Sequence, residues 1–249
     1  MRTRLITFNN WSSGMFSMVK AVLCALASCE ADGVAPTVVV GNSPFREDGY
    51  TGNVWTRFFN PIDDESLHHD ESVVIASHPC LPNNDCYFHN RERMNAIVSK
   101  WVVPNAVVQS RIDSWLPLVH STSQRLGVHF RGSDKHIECT HVPPSKYLAA
   151  LKVLRGVSTE GWLLCTDCST AADELSHEPG MILTDSERVP ELRGGYGVHF
   201  RAKDRGKAGS DAVLDAWLLA ACRILICGPS NLSEFVTFLN PAIVHVSMR

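Results

Sequence analysis

Short apolar runs and helix-spaced apolar positions alternate through the second half of the chain. The short runs have the length and β-branched content of buried strands and lie at residues 126–130, 161–166, 181–184, 223–227 and 243–246. The stretches between them carry apolar side chains at helical spacing and lie at residues 143–154, 169–176, 208–221 and 232–239. Strands that alternate with helices form a parallel sheet, so the pattern predicts a doubly wound α/β unit.

The first half of the chain predicts a second unit of the same class. Its predicted strands cover 4–8 and 37–40, and its predicted helices cover 15–28, 90–101, 104–120 and a short turn around Trp55 and Phe59. The loop 9–14 follows the first strand, where it either faces a cleft or is an ordinary connection. A chain of 249 residues is long enough for two cores, so we expect lobes at 1–120 and 121–249.

A compact group of charged and small residues follows the strand at 126–130. Gly132 and Ser133 interrupt the apolar run where Arg131, Asp134 and Lys135 emerge. Ligands of open α/β sheets bind at this carboxyl edge of the strands. Arginine offers a planar fork of donors, lysine adds a point charge and aspartate can orient the arginine, which suits a diphosphate. The alternative is a solvated cluster of ion pairs at a strand end.

The residues His129-Phe130-Arg131-Gly132-Ser133-Asp134-Lys135 resemble the His-x-Arg-x-x-Asp-Lys signature of the fucosyltransferase superfamily, which includes core α1,6-fucosyltransferases, the bacterial nodulation fucosyltransferase and protein O-fucosyltransferases. The resemblance extends over most of residues 97–249. It implies an α/β fold of the GT-B type, in which two Rossmann-like lobes face a cleft. It also implies GDP-fucose as donor substrate, a glycan as acceptor, inversion at the transferred sugar, and no metal or other cofactor.

The same resemblance implies roles for individual residues. Arg131 would bind the β-phosphate of the donor, with His129, Gly132, Asp134 and Lys135 around it. Further donor contacts fall on Tyr147, on Thr166 and Asp167, on the helix residue Asp215, and on Ser230 and Asn231 in a strand-to-helix turn. Cys168 replaces a second Asp of the superfamily pattern. The alternatives are a helix aromatic for Tyr147, a solvated carboxylate for Asp215 and an ordinary N-cap at Ser230 or Asn231.

Glycosyl transfer also needs a base that takes the proton of the attacking hydroxyl. Glu138 lies three residues after Lys135, where the resemblance implies a carboxylate. His136 is the rival because it titrates near neutral pH. Both are alternatively solvated loop residues.

Two groups of cysteines raise other chemistries. Cys80, Cys86 and His89 carry zinc-ligand atoms without the usual paired spacing, so a loop over the cleft is the favoured interpretation. Cys165 and Cys168 form a Cys-x-x-Cys pair, but Cys165 falls within an apolar strand rather than at a helix start, which disfavours a redox centre.

Charge and hydropathy limit the classes of partner that we expect for this protein. The chain is 45% hydrophobic and 20% charged with a net charge of −3, so it lacks the basic excess typical of nucleic-acid binding. The longest apolar stretch, 15–29, contains Lys20 and is too short for a membrane span, and no basic segment precedes it. We therefore expect a cytoplasmic glycosyltransferase. The rival classes are a transferase for another nucleotide-sugar and a non-catalytic nucleotide-sugar or glycan-binding module.

The sequence 197–205 nearly repeats 127–135 and shares the pentapeptide Gly-Val-His-Phe-Arg with it. The second copy lies in the polar, glycine-rich stretch 186–207, which predicts a loop that is mobile without ligand and orders over a bound nucleotide. Arg201 would then approach the ligand. The alternative is a chance repeat.

Overall fold

A computed structural model describes residues 2–9, 13–46, 49–62, 71–75, 90–120, 126–132, 142–155, 161–190 and 197–248. The first part of the chain forms a three-stranded parallel sheet. Its strands are β1 (Thr3–Phe8), β2 (Ala35–Val40) and β3 (Glu71–Ile75), in the order β2-β1-β3. Helix α1 (Met15–Asp32) connects β1 to β2 and ends at Gly33, whose φ of 63° suits a residue without a side chain.

The described residues of this part of the chain include three further helical segments. They are a short 3₁₀ helix (Val54–Arg57), α2 (Arg91–Trp101) and α3 (Ala106–His120). Asn53 and Asn90 cap the first two through their side-chain oxygens, which accept backbone N–H groups of Trp55 and Arg93.

The second part of the chain forms a five-stranded parallel sheet. Its strands are β4 (Leu126–Phe130), β5 (Trp162–Thr166), β6 (Met181–Leu183), β7 (Ile224–Cys227) and β8 (Val244–Ser247). The order β6-β5-β4-β7-β8 means that the chain moves outward from β4 and then crosses to β7 on the other side. Such a reversal opens a crevice at the carboxyl ends of β4 and β7.

Among the residues that the structure describes, five helices accompany this sheet: α4 (Pro144–Arg155), α5 (Ser169–Leu175), α6 (Val198–Arg201), α7 (Arg205–Ala220) and α8 (Asn231–Leu239). Within the described parts of the chain, no helix combines the length and hydrophobicity that a membrane crossing requires.

The helices α7 and α8 pack between the two sheets against α1, α2 and α3. Phe235 of α8 lies 4.8 Å from Phe16 and 5.6 Å from Trp217 between ring centroids, and Trp217 reaches Phe59 at 6.2 Å. The approach of α7 is close enough that a Cβ on Gly209 would lie 2.5 Å from the ring of Phe58. The two sheets therefore share one continuous hydrophobic core.

Three predicted elements differ from the structure. The strand β3 was not predicted, because a five-residue strand at a sheet edge, with Val73 43% and Val74 56% exposed, shows no alternation of buried and exposed positions. Helix α7 begins at Arg205, three residues earlier than predicted, because the Asp204 carboxylate caps it through the backbone N–H of Lys207. Residues Val198–Arg201 are helical rather than part of one long loop; residues 191–196 lie outside the described residues.

Candidate functional site

The carboxyl ends of the strands in both sheets converge on one cavity of about 200 Å³. The first sheet contributes the segment after β1, and the second sheet contributes the segments after β4, β5, β6 and β7. Six of the residues proposed from the sequence line this cavity: His129, Arg131, Thr166, Asp167, Asp215 and Asn231. Asp134, Lys135, Glu138, His136 and the group Cys80, Cys86 and His89 lie outside the described residues.

Arg131 leaves the end of β4 and is positioned by the acid that ends the neighbouring strand. Its Nε lies 4.0 Å from Oδ2 of Asp167, while Oδ1 of Asp167 accepts the backbone N–H of Gly132 at 3.0 Å. Asp167 thus fixes the turn after β4 as well as the guanidinium. A Cβ on Gly132 would lie 2.5 Å from the Phe130 ring, so this tight turn requires glycine. Asp167 therefore fixes the backbone beside Arg131 and lies within ion-pair distance of its guanidinium.

Helix α1 begins on the opposite side of the cavity. Ser13, Gly14 and the first residues of α1 line it, so the loop after β1 does face a cleft. Gly14 is the N-cap and supplies no side-chain oxygen to the helix. The positive end of the α1 dipole and the Arg131 guanidinium therefore face the same space, which favours an anionic ligand.

His129 is almost fully buried at the base of the cavity. Its Nδ1 and the hydroxyl oxygen of Ser233 in α8 lie 2.7 Å apart. Cys227 is the register partner of His129 on β7, and its Sγ lies 3.0 Å from Nε2 of His245. Burial raises the pKa of Cys227 to about 11, so this thiol is neutral at physiological pH.

Asp215 is buried, with only 7% of its surface exposed. The Ser186 hydroxyl donates to its Oδ1 at 2.8 Å. Burial raises the pKa of Asp215 to about 7, although the hydrogen bond from Ser186 acts in the opposite direction. The alternative of a solvated helix carboxylate is therefore wrong, and Asp215 changes charge near neutral pH at the cavity wall.

Asp211, one helical turn before Asp215, was not identified from the sequence. It is 3% exposed, and its carboxylate binds Arg111 Nη2 at 2.8 Å and Lys207 Nζ at 2.7 Å. It also accepts the backbone N–H of Glu187 at 2.8 Å. The spacing of Lys207, Asp211 and Asp215 on one helix face was a signal, but the partner from α3 lies 100 residues away in sequence.

Three of the proposed donor-binding residues do not line the cavity. Tyr147 is 3% exposed and packs edge-on against Phe130 at 5.0 Å, with its hydroxyl beneath Gly228, where a Cβ would lie 2.9 Å away. The hydroxyl oxygen of Ser230 accepts the backbone N–H groups of Leu232 and Ser233, so the interpretation as an N-cap is confirmed. The backbone N–H of Gly132 is bonded to Asp167.

Cys165 and Cys168 are buried and form no disulfide bond within the described residues. The pKa of Cys165 lies well above its usual value because of burial and the nearby Asp215. A redox-active cysteine needs an accessible thiolate, so the structure does not support a redox centre here.

Arg201 lies outside the residues that line the cavity. Its guanidinium donates twice to the backbone carbonyl of Pro190, at 3.1 Å from each terminal nitrogen. From the same helix, Val198 lines the cavity.

Comparison with known proteins gives a fold but no sequence relative. No protein-family model matches the chain, and no curated protein matches it in sequence. Among solved structures, the NodZ α1,6-fucosyltransferase soaked with GDP-fucose matches with a TM-score of 0.62 at 17% identity, covering 97% of this chain and 94% of that chain. POFUT1 in complex with GDP matches with a TM-score of 0.58 at 8% identity, covering 97% and 98%.

A mutant of Arabidopsis thaliana FUT1 in complex with GDP gives a TM-score of 0.54 at 10% identity, covering 93% of this chain and 68% of that chain. The first two matches extend over nearly the whole length of both partners, so they include both sheets and the helices between them. The chain therefore has the GT-B fold of these fucosyltransferases.

Proposed function

We propose that the protein is a glycosyltransferase that transfers a fucosyl group from GDP-fucose to a hydroxyl group of a glycan, with inversion and without a metal ion. The observation that carries the proposal is Arg131, which emerges from the central strand β4 into a cavity facing the start of α1. Structural neighbours of this chain were solved with GDP-fucose or GDP, which supports a guanosine nucleotide as the ligand.

Arg131 would bind the β-phosphate, and its charge would stabilise the leaving diphosphate. In the transfer, the acceptor oxygen forms a bond to the anomeric carbon while the bond from that carbon to the phosphate oxygen breaks, and the electron pair leaves with GDP. The guanidinium and the α1 N-terminus together lower the energy of this developing charge. Lys135 and Asp134 would support Arg131, and Glu138 or His136 would accept the proton of the attacking hydroxyl.

The remaining cavity residues would hold the nucleotide. A carboxylate at Asp215 can accept hydrogen bonds from both the N1–H and the N2–H of guanine, whereas uracil offers a single N–H group. Thr166 also lines the cavity, and Asn231 lies at the start of α8. The backbone N–H of Asn231, which the Ser230 hydroxyl does not engage, would add a phosphate contact. Tyr147 would act from beneath this turn by supporting Gly228 rather than by touching the donor.

We assign the nucleotide-sugar to residues 121–249 and the glycan acceptor to the side formed by residues 1–120. Phe45 and the residues at the start of α1 are parts of that side that reach the cavity. We further propose that the protein acts in the cytoplasm on a glycan or glycan precursor available there.

The test is a ligand screen followed by a turnover assay. The purified protein is mixed with GDP, UDP and dTDP, and thermal stabilisation is expected with GDP alone. GDP-fucose should then be consumed, with release of GDP, at an unchanged rate in the presence of EDTA. Stabilisation by UDP or dTDP instead would indicate another nucleotide-sugar. GDP binding without donor consumption, in the presence of glycan acceptors, would indicate a non-catalytic binding module.

A further inference from the structure

Four carboxylates line the described part of the cavity, and the protein's own donors hold three of them. Asp167 binds Gly132 and Arg131, Asp211 binds Arg111 and Lys207, and Asp215 accepts the Ser186 hydroxyl. Asp167 and Asp211 shape the site, and Asp215 is the residue assigned above to the guanine. The fourth carboxylate, Glu187, differs from them.

Glu187 presents an oxygen that no described residue occupies. Its Oε1 accepts the backbone N–H of Lys203 at 3.0 Å, and no donor among the described residues contacts Oε2. Its own backbone N–H is fixed to Asp211 at 2.8 Å. The side chain is half-buried on the cavity wall, so its position is defined while one acceptor oxygen stays available to a ligand.

The place of Glu187 in the sheet indicates which part of a nucleotide it would meet. It follows β6, and Arg131 follows β4, with β5 between them. Two strand spacings are about 10 Å, which corresponds to the span from a β-phosphate to the ribose hydroxyls. In doubly wound nucleotide-binding sheets, an acid beyond the phosphate-binding strand takes the ribose. Asp167 follows β5, the strand next to β4, and so lies nearer to Arg131 than Glu187 does in the order of strands. Arg131 and Gly132 already engage Asp167, however.

We propose that Glu187 accepts a hydrogen bond from the ribose diol of the bound nucleoside diphosphate and so selects ribonucleotides over dideoxyribonucleotides. This assignment rests on the proposed function, because it places the diphosphate at Arg131. Each sugar hydroxyl is a hydrogen-bond donor. A hydrogen bond from a neutral hydroxyl to a charged carboxylate oxygen is stronger than one to a neutral acceptor. Glu187 is thus a specificity-determining residue of the donor site.

The test compares the affinities of GDP and 2′,3′-dideoxy-GDP by calorimetry. The wild-type protein should bind GDP about 10- to 100-fold more tightly, which is the effect of one hydrogen bond to a charged group. In Glu187→Ala the ratio should fall to about one, and Glu187→Gln should keep part of it because an amide oxygen still accepts. The two ligands carry the same charge, so the loss of the negative charge of Glu187 changes both affinities equally and leaves their ratio unchanged.

Glu174→Ala is the matched control, because Glu174 is an exposed acid on α5 away from the cavity. It should leave the ratio unchanged. If the wild-type protein binds no GDP, the proposed function fails. If it binds GDP but does not discriminate against the dideoxy analogue, or if Glu187→Ala keeps the wild-type ratio, the role of Glu187 is overturned. An increased GDP affinity of Glu187→Ala at constant ratio would identify Glu187 as a nearby repelling charge only.

Discussion

Arg131 and Arg201 end identical pentapeptides, Gly-Val-His-Phe-Arg, that fold differently. The first copy is the buried strand β4, and the second becomes the short helix α6. Gly127 of the first copy packs under α7, where a Cβ would lie 3.0 Å from Leu219, whereas Phe200 of the second copy is exposed. The local sequence is the same, so the surrounding contacts decide the conformation.

This pair supplies a matched test of the proposed site. Arg131→Ala should lower the rate of fucosyl transfer by about 100-fold or more, because the loss of one charge-assisted phosphate contact costs on the order of 3 kcal/mol in the transition state. Arg201→Ala removes the same side chain from the second copy and should leave turnover near the wild-type value. Initial rates of GDP release measure both. Equal losses in the two variants would contradict the role given to Arg131.

Asp215 predicts a pH-dependent stability. Its pKa is about 7 in the folded protein and about 3.9 in an unfolded chain, so the folded state binds the proton more tightly. Its contribution to stability is therefore fully present below pH 4 and is lost as pH rises to 7. Asparagine at this position stays neutral. The free energy of unfolding of Asp215→Asn, relative to that of the wild-type protein, should therefore rise by about 1.4 kcal/mol per pH unit between about pH 4 and pH 7. Above about pH 7 this difference should stay constant.

Urea denaturation of both proteins at pH 5, 6, 7 and 8 measures that difference. The same variant should bind GDP more weakly at pH 8, since an amide cannot accept from both guanine N–H groups. A stability difference that does not vary between pH 5 and 7 would show that Asp215 is ionised throughout.

Residues of the site could be predicted from the sequence where they adjoin a strand end. Arg131 and Asp167 follow β4 and β5 directly, Asn231 follows β7 after a three-residue turn, and parallel topology brings those ends together. Sequence could not show that Tyr147 lies below the cavity floor, because helical spacing identifies a buried face without identifying what covers it. Glu187 and Asp211 were missed because their roles depend on contacts between distant segments.

At the scale of elements, Arg111 of α3 joins the first part of the chain to the cavity wall. Its guanidinium donates to Ser210, Asp185 and Asp211, at 3.0, 3.1 and 2.8 Å. Asp211 in turn holds the backbone of Glu187. The cavity wall at Glu187, in the segment after β6, is therefore supported by α3, a helix of the first part of the chain.

Arg111→Ala should destabilise the protein by about 1–3 kcal/mol, because Asp211 stays buried with fewer partners. It should also weaken GDP binding, since the backbone at Glu187 loses part of its support. Arg111→Lys should restore only part of the stability and part of the GDP affinity, because a single ammonium cannot replace a guanidinium fork with three partners.

Lys20→Met is the control: it removes the Lys20–Glu234 pair between α1 and α8, which is also an ion pair between packed helices. Denaturation and calorimetry separate the outcomes, and unchanged GDP affinity in Arg111→Ala would limit Arg111 to a structural role.

At the scale of the whole molecule, the sequence predicted two parallel α/β units, and the structure contains two parallel sheets. The strand order was not readable, because alternation of strands and helices is the same for every order of a doubly wound sheet. Nor was the shared core predicted. The apolar faces of α1, α7 and α8 were visible as periodic patterns, but Phe16, Trp217 and Phe235 meet only in the folded chain. The division into an acceptor-side lobe at residues 1–120 and a donor lobe at residues 121–249 stays a prediction.

The shared core has a consequence for the kinetics of ligand association. Moving one sheet away from the other would expose Phe16, Trp217 and Phe235 to water, at a cost of about 1.5–3 kcal/mol for each large side chain. The two sheets therefore hold their relative positions before a nucleotide arrives, and if they alone form the site we expect binding of GDP to follow a single exponential in stopped-flow fluorescence. The observed rate should rise linearly with GDP concentration, without the plateau that a slow isomerisation imposes. Trp217 lies in this core and offers a reporter of any repacking there.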